Sequence, residues 1–552
     1  MYLFDLFRSF LPLRNPIGFG AADFVVFSLA LLLSILLFAR VALQPYARKL
    51  AQSPAVAMLT LFALGLALRL ALLAAAPVPI PAGADDFSYI LLADTLRHLR
   101  LANPPHPLSQ FFEAVFILQH PTYSSIYPPG QGIALALGRT LFGSYWAGVL
   151  LVSAALPALC YWMLRAWIPA IWALAGGLLA VVQFGPLNPW TNSYWGGSLS
   201  ACAGCLVFGA LPRLGSRRAV WLLGLGLSLQ LLTRPFEFVL LCVCVFAYAV
   251  CLTRPEHRRM LIFAAPLPLL AFGLLLAQNK AVTGGWTQLP YQLSRYQYGV
   301  PASFTFEPNP VPHNPLTPEQ ELDYRAQAAI HGSAADSPAR YVSRLLERLP
   351  YARFFLLAPL FLALPFAFRR RTIFLFVLTV LGFFFFGTNF YPYFHTQYIA
   401  AVACLFLLWA LCGMCALHRR NPLAAVLLIC LCGAHFVFWY AIHLSNHPAL
   451  LAVTTYETWD FVNHGDPEGR ISIARDLAAA PGDQLVFVRY TRQHRFGEWI
   501  ANAADIGRAR IIWALDLGAD ENQKLERYFP SRKKWLLEPD FHPPHLTPYP
   551  PQ

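Results

Sequence analysis

Gly83-Ala84-Asp85-Asp86-Phe87-Ser88-Tyr89 follows closely on the apolar run 54–76. That run is long enough to cross a bilayer, which takes about 20 apolar residues. Two adjacent carboxylates at a membrane boundary are costly to desolvate, and ionisable groups in such places mark function. They open a loop, 77–130, after which the chain turns apolar again at 132. A helix-like stretch, 87–100, begins directly behind them, so an Asp here can also cap a helix by accepting its free N–H groups. A base for proton abstraction and a helix cap are thus both open to this pair.

The rest of the composition agrees with a membrane protein. Of 552 residues, 57% are hydrophobic and only 12% charged, against about 25% charged in a soluble domain. Mean hydropathy is +0.49. The net charge of +13 does not indicate nucleic acid, because the cations fall in short clusters between apolar runs, at 213–218, 254–259, 369–371 and 418–420. This is the pattern of cytoplasmic loops, and no nucleic-acid-binding motif accompanies it. The 11 cysteines lie in apolar runs. Cys202/Cys205 and Cys412/Cys415 have CxxC spacing but no nearby partners to complete a zinc set, so they read as small packing residues.

Runs able to span, or nearly so, are 21–43, 54–76, 132–165 (with a break near Gly143), 168–184, 197–212, 218–234, 236–253, 260–278, 351–368, 372–388, 395–417 and 423–443. The expected fold is an all-α polytopic membrane protein of about twelve transmembrane helices. Residues 1–20 read as an amphipathic or irregular lead-in rather than a secretory signal. With the basic clusters inside, the outer face receives 77–130, 185–196, 279–350 and everything after 444, and also the N-terminus. The division expected is a membrane domain, 1–444, with outer loops 77–130 and 279–350, and an extracytoplasmic α/β domain, 445–552. In this tail, strand-like runs at 484–490, 510–515 and 534–537 alternate with helix-compatible stretches near 497–507 and 519–529, which predicts a small parallel sheet.

The outer segments carry further candidates. The first loop ends in His120-Pro121-Thr122-Tyr123-Ser124-Ser125-Ile126-Tyr127-Pro128-Pro129-Gly130, a rigid turn at a helix start with Tyr127 and His120 available to sugar or phosphate. Asn188–Gly197 pairs aromatics with amides; Asn192 and Tyr194 could stack on and hydrogen-bond a sugar, although an aromatic belt also explains the rings. Arg234 in Thr233-Arg234-Pro235-Phe236-Glu237 is an isolated outer arginine suited to forking a phosphate, with Glu237 as its ion-pair partner or as a ligand. Asn389–Tyr398 places His395, Tyr398 and two further tyrosines at headgroup depth. Lys280, just after a span, could be a second phosphate ligand or an interface anchor. Arg69, inside the second span, is expected to pair with a neighbouring helix.

In order and common side, these features resemble the C-type membrane glycosyltransferases (GT-C fold), in particular bacterial relatives of protein O-mannosyltransferases and aminoarabinose transferases. The resemblance covers roughly 54–440 and rests on Asp85-Asp86, Tyr127-Pro128-Pro129-Gly130, Arg234-Pro235 and His395 with Tyr398. It implies transfer of a hexosyl or pentosyl group from a polyprenyl-phosphate sugar donor to a glycan, lipid or protein acceptor. Asp85 or Asp86 would be the base, Asp85 the first choice, while Arg234, Lys280 and His395 would steady the departing phosphate. The mannosyltransferase pair is usually Asp-Glu, whereas this one is Asp-Asp. A divalent cation is left open: Asp85, Asp86, His120 and Glu237 are suitable ligands, but no spacing demands a site. A composition rich in Ala, Leu, Arg and Pro, with no eukaryotic sorting signal, suggests a bacterial inner membrane, with the site and the tail on the periplasmic side. The rival class is a transporter or flippase of lipid-linked saccharides. Such a protein usually places ionisable groups at midplane and shows repeat symmetry; here they gather at one face.

Overall fold

The computed structural model describes residues 28–35, 44–74, 76–81, 83–186, 188–332, 336–369, 371–445, 469–495 and 497–550. The lead-in 1–20, most of the run 21–43 and the beginning of the tail, 446–468, lie outside the described residues.

Among the described residues, six helices are long and apolar enough to cross a membrane: Pro54–Ala71, Tyr145–Leu164, Pro235–Leu252, Pro255–Thr283, Arg371–Thr388 and Thr396–Arg420. A seventh is available if Pro338–Phe355 and Ala358–Arg369, bent by 105°, form one broken span. Other apolar runs form shorter helices, Ala170–Gln183 and Gly197–Ala210 of 14 residues each and Arg217–Thr233 of 17. The run 132–165 divides into Pro129–Phe142 and Tyr145–Leu164, with Gly143 in the left-handed region at φ 73°. Only glycine adopts that conformation without a Cβ penalty, and it is a frequent helix stop. The largest core runs through helices 145–164, 170–183, 197–210 and 403–420. Arg69 is fully buried and spent internally: its guanidinium donates to Asn192 Oδ1 at 3.1 Å and to the Ala76 and Pro77 carbonyls at 2.7 and 2.9 Å.

The tail forms a four-stranded sheet of order β4-β3-β5-β6, from β3 (Gln484–Val488), β4 (Ile511–Leu515), β5 (Lys533–Glu538) and β6 (His545–Pro548). β3 pairs in parallel with β4 and β5, and β6 closes the edge antiparallel to β5. Strands β1 (Ile117–Leu118) and β2 (Ser124–Ser125) form a small antiparallel pair in the first loop. Helix Ala519–Tyr528 lies where the sequence places one, but the helix expected near 497–507 is absent except for a single turn, Ile506–Arg508. The backbone there is satisfied by other partners. Trp499 N–H donates to the Tyr490 hydroxyl, Ile500 N–H to Glu498 Oε1 and Ala504 N–H to Asp94 Oδ2, while the Asn502 side chain exchanges two hydrogen bonds with the Trp513 backbone. The helix packed ahead of β3 is Arg470–Ala479.

The tail is not a loosely attached cap. Leu91, Phe111, Phe112, Ile117 and Tyr123 of the first loop share one hydrophobic core with Phe487, Trp499, Trp513 and Leu525 of the tail. Glu498 Oε2 accepts from Val115 N–H at 3.0 Å. On the central loop, His494 Nε2 meets Glu319 Oε2 at 2.6 Å while its Nδ1 meets Asp540 Oδ1 at 2.6 Å. A neutral imidazole has one N–H donor, and carboxylates only accept, so two such contacts call for the imidazolium. Burial alone would lower the pKa of His494; the hydrogen bonds and charges of Glu319 and Asp540 outweigh it and raise the value. The Asp540 carboxyl is correspondingly held below its ordinary range, mainly by the His494 bond against the opposing effect of burial.

The linkage signs follow. His494, raised on folding, contributes stability that is present below its unfolded pKa and lost as pH rises through the folded value. Asp540, lowered on folding, contributes stability present above its unfolded pKa and lost as pH falls through the folded value. Docking of the tail on the central loop is therefore strongest between these two limits. His494→Gln should weaken it by about 3 kcal/mol, the scale of a broken buried pair, and flatten its alkaline limb. Hydrogen exchange of 470–548 across pH checks both; wild-type protection and pH dependence in the variant would remove the clamp from the account.

Candidate functional site

Six of the residues singled out from the sequence line one cavity of about 630 Å³ at the ends of several helices. Its position follows from local sequence rules. Proline cannot continue a helix that needs its N–H and disfavours helical geometry in the residue before it. Helix 217–233 therefore ends at Thr233, Pro235 starts the next helix, and Arg234 sits extended between them at φ −146°, ψ 89°. Pro129 likewise opens helix Pro129–Phe142 behind an extended Pro128. Gly130 sits against the end of helix 217–233: a Cβ there would lie 2.7 Å from Thr233 Oγ1 and 2.8 Å from the Leu232 carbonyl oxygen. The Pro-Pro-Gly turn thus carries Tyr127 up to Arg234.

Asp85 and Asp86 separate in the structure. Both stand in the first turn of helix Ala84–Arg97, where negative charge suits the helix dipole. Asp85 lines the cavity and accepts a hydrogen bond from the Tyr127 hydroxyl. Burial raises its pKa, opposed by the Tyr127 bond and by the charge of Arg234. Asp86 turns inward: Oδ1 accepts from Tyr194 N–H at 3.0 Å and Oδ2 from Gly83 N–H at 3.5 Å. It is the cap of the pair.

Arg234 packs over the Tyr398 ring at 4.8 Å and approaches Glu237 Oε1 at 3.5 Å. Its buried Nε and the Glu237 Oε1 have no hydrogen-bond partner. Such groups are costly to leave unmade, and both residues belong to the wall of the cavity. His395 stands edge-on to Trp195 at 5.2 Å. Burial, then Arg234, lowers its pKa to about 4, so at neutral pH it offers hydrogen bonds rather than positive charge. Tyrosines surround these groups: Tyr89 stacks on Tyr127 at 4.2 Å, Tyr291 meets Tyr127 edge-on at 5.7 Å, and Tyr391 and Tyr393 complete the wall.

Of the residues singled out from sequence, Asp85, Tyr127, Arg234, Glu237, His395 and Tyr398 come together, and Asp86, His120, Asn192, Tyr194 and Lys280 do not line the cavity. His120 is exposed and bonded through Nε2 to Ser109 Oγ at 2.8 Å. Asn192 and Tyr194 are buried scaffold: the Asn192 amide donates to the Pro186 and Asn188 carbonyls and the Tyr194 hydroxyl to the Pro79 carbonyl. Lys280 caps its own helix through the Gly284 carbonyl at 2.5 Å. Asp323, Arg295 and Glu307 of the central loop line the cavity without having been singled out. No motif marks them; the available signal was their placement in a long outer loop. As a metal set, Asp85, Asp86, His120 and Glu237 do not fit, since two are engaged elsewhere, and no group of three or more His, Cys, Asp or Glu among the described residues could hold an ion.

No protein-family model matches the chain, and no curated protein matches it. The chain has the GT-C fold of membrane glycosyltransferases. The crystal structure of apo ArnT from Cupriavidus metallidurans superposes with a TM-score of 0.50 at 11% identity, covering 88% of this chain and 93% of that one. ArnT from the same organism bound to undecaprenyl phosphate gives 0.50 and 11%, covering 86% and 92%.

The Arg234–Glu237 contact yields a stability test. Arg234→Gln leaves Glu237 buried without its cation and should cost about 3 kcal/mol; adding Glu237→Gln should recover most of the loss. Thermal unfolding in detergent reads both. A single variant as stable as wild type would mean that the pair does not interact in the folded protein.

Proposed function

We propose that the protein transfers a sugar from a polyprenyl-phosphate carrier to an acceptor, at the periplasmic face of a bacterial inner membrane, as part of cell-envelope glycosylation. The observation that carries this reading is the joining, in one cavity, of Asp85 with a raised pKa and Arg234 with an unpartnered guanidinium nitrogen. The binding of undecaprenyl phosphate by ArnT, which shares the fold, supports a lipid-phosphate donor.

In the proposed step the acceptor's X–H proton passes to an Asp85 oxygen as the X–C1 bond forms. The bond from C1 to the phosphate oxygen breaks, and its electron pair leaves on the phosphate, which Arg234 holds. Direct attack inverts C1. A phosphate is a competent leaving group without protonation, so a neutral His395 suffices beside it as a hydrogen-bonding group. Catalysis rests on positioning and on fixed charge. The raised pKa of Asp85 brings the base nearer the working pH.

The test is sugar transfer by the purified protein, with a panel of radiolabelled polyprenyl-phosphate sugars and a crude cell-envelope acceptor. Asp85→Asn should bind donor and lose transfer by at least about 100-fold, the scale of general-base catalysis. Asp86→Asn should lower stability while retaining transfer. Donor neither bound nor consumed by wild type would favour a flippase instead. Tyr127→Phe removes a bond that lowers the Asp85 pKa, so the acid limb of the pH–rate profile should move to higher pH; an unmoved limb would detach that limb from Asp85.

A further inference from the structure

The cavity has a carboxylate that the proposed reaction does not use. Asp323 comes from helix Pro318–His331 of the central loop and lines the same space as Asp85. It is held by one side chain, Gln327, which is itself fixed by the backbone. Gln327 Nε2 donates to Asp323 Oδ2 at 2.7 Å, while Gln327 Oε1 accepts from Ala302 N–H at 2.7 Å. One turn earlier on the same helix, Glu319 is fixed by His494 and by Gly497 N–H at 3.1 Å. Burial, then the charge of Asp85, raises the Asp323 pKa to about 7, so the two carboxyl groups sense each other. Glu237, 2% exposed, lines the same cavity but is paired with Arg234 through Oε1 at 3.5 Å, which leaves Asp85 and Asp323 as carboxyl groups without a cation in contact. The site thus has more hydrogen-bond-accepting carboxylate than its protein partners use.

That surplus constrains the nucleophile. A phosphate or carboxylate acceptor would meet the like charge of Asp85 and Asp323, with Arg234 taken by the donor phosphate and Arg295 turned to the Pro301 and Ala302 carbonyls at 2.9 and 3.1 Å. An amine, with a pKa near 10 in water, would be held as ammonium beside several carboxylates and so lose its lone pair. A hydroxyl remains a neutral nucleophile and offers one proton for Asp85 to take. Resting on the glycosyltransferase reading above, we propose that Asp323 is an acceptor-binding residue that, in the same cavity as Asp85, orients the acceptor so that a hydroxyl group can attack. The O–C1 bond forms, the C1–phosphate bond breaks with its electrons going to phosphate, and the proton goes to Asp85. Asp323 accepts a hydrogen bond from a second O–H or N–H group of the acceptor, beside the attacking hydroxyl, and undergoes no net change. The hydroxyl belongs to a glycan or to a protein side chain.

The experiment uses the full chain in nanodiscs, the transferred donor from the radiolabelled polyprenyl-phosphate sugar panel, and cell-envelope extract as acceptor. Asp323→Asn should leave donor binding unchanged and raise the half-saturating extract concentration about tenfold, the loss of roughly one hydrogen bond, and Asp323→Glu should recover part of it. The product should survive the mild acid that releases a sugar from a phosphate. Protease digestion then separates a protein hydroxyl from a glycan one. Wild-type kinetics in Asp323→Asn, or an acid-labile product, overturns the proposal while leaving the transferase reading intact. Absence of transfer by wild type with every donor overturns both. A fall in kcat with unchanged half-saturation and unchanged thermal stability would assign Asp323 to another step and also overturns it.

Discussion

The site depends on one close approach of two backbones. Gly130 lies against the Leu232 carbonyl and Thr233 so tightly that no side chain fits between them. Pro128 and Pro129 fix the direction of the chain on one side of this contact, and Pro235 ends the helix on the other. Tyr127 and Arg234 are the residues left at the junction. Because Tyr127 holds Asp85, the same contact also sets the distance between a carboxylate at one helix start and a guanidinium at a helix break. Each proline acts through its missing N–H and fixed φ, so the geometry is built into the backbone rather than left to side-chain choice.

Burying these charges is costly, and the structure offsets the cost unevenly. Asp85 is compensated by a hydroxyl and a nearby arginine, Glu237 by the same arginine, while Arg234 keeps a nitrogen without a partner. In the proposed reaction, the donor phosphate is what completes the site at Arg234. Low polarity strengthens every interaction made there. The tail contributes from outside: it shares a core with the first loop and clamps the central loop through His494, so both loops that line the cavity are tied to one sheet.

Much of this was legible in the sequence because it is written in punctuation and charge. Arg234-Pro235 and Pro128-Pro129-Gly130 are local signals, and their structures obey local rules. The choice between Asp85 and Asp86 was not local. Neighbours on a helix point about 100° apart, so one faces the cavity and the other the Tyr194 backbone; only the packing of the loop 185–196 decides which. Asn192 looked like a sugar ligand because amides beside aromatics suit a sugar, yet its polarity answers Arg69 and the backbone of its own turn. Asp323 lies in a helix rich in charge, where one carboxylate looks like its neighbours until the fold turns it inward. The helix expected near 497–507 failed for a similar reason: its backbone donors find partners in Tyr490, Glu498 and Asp94 that periodicity cannot reveal.

The central claim is that Arg234 receives a lipid phosphate in a cavity that also holds the base. Its most direct test is the affinity of undecaprenyl phosphate for the protein in nanodiscs, measured for wild type and for the Arg234→Gln/Glu237→Gln double variant, which keeps the buried charges balanced. The account predicts saturable binding by wild type and a loss of at least about tenfold in the double variant, the scale of a charge-assisted hydrogen bond. Equal affinity in the two proteins would contradict it.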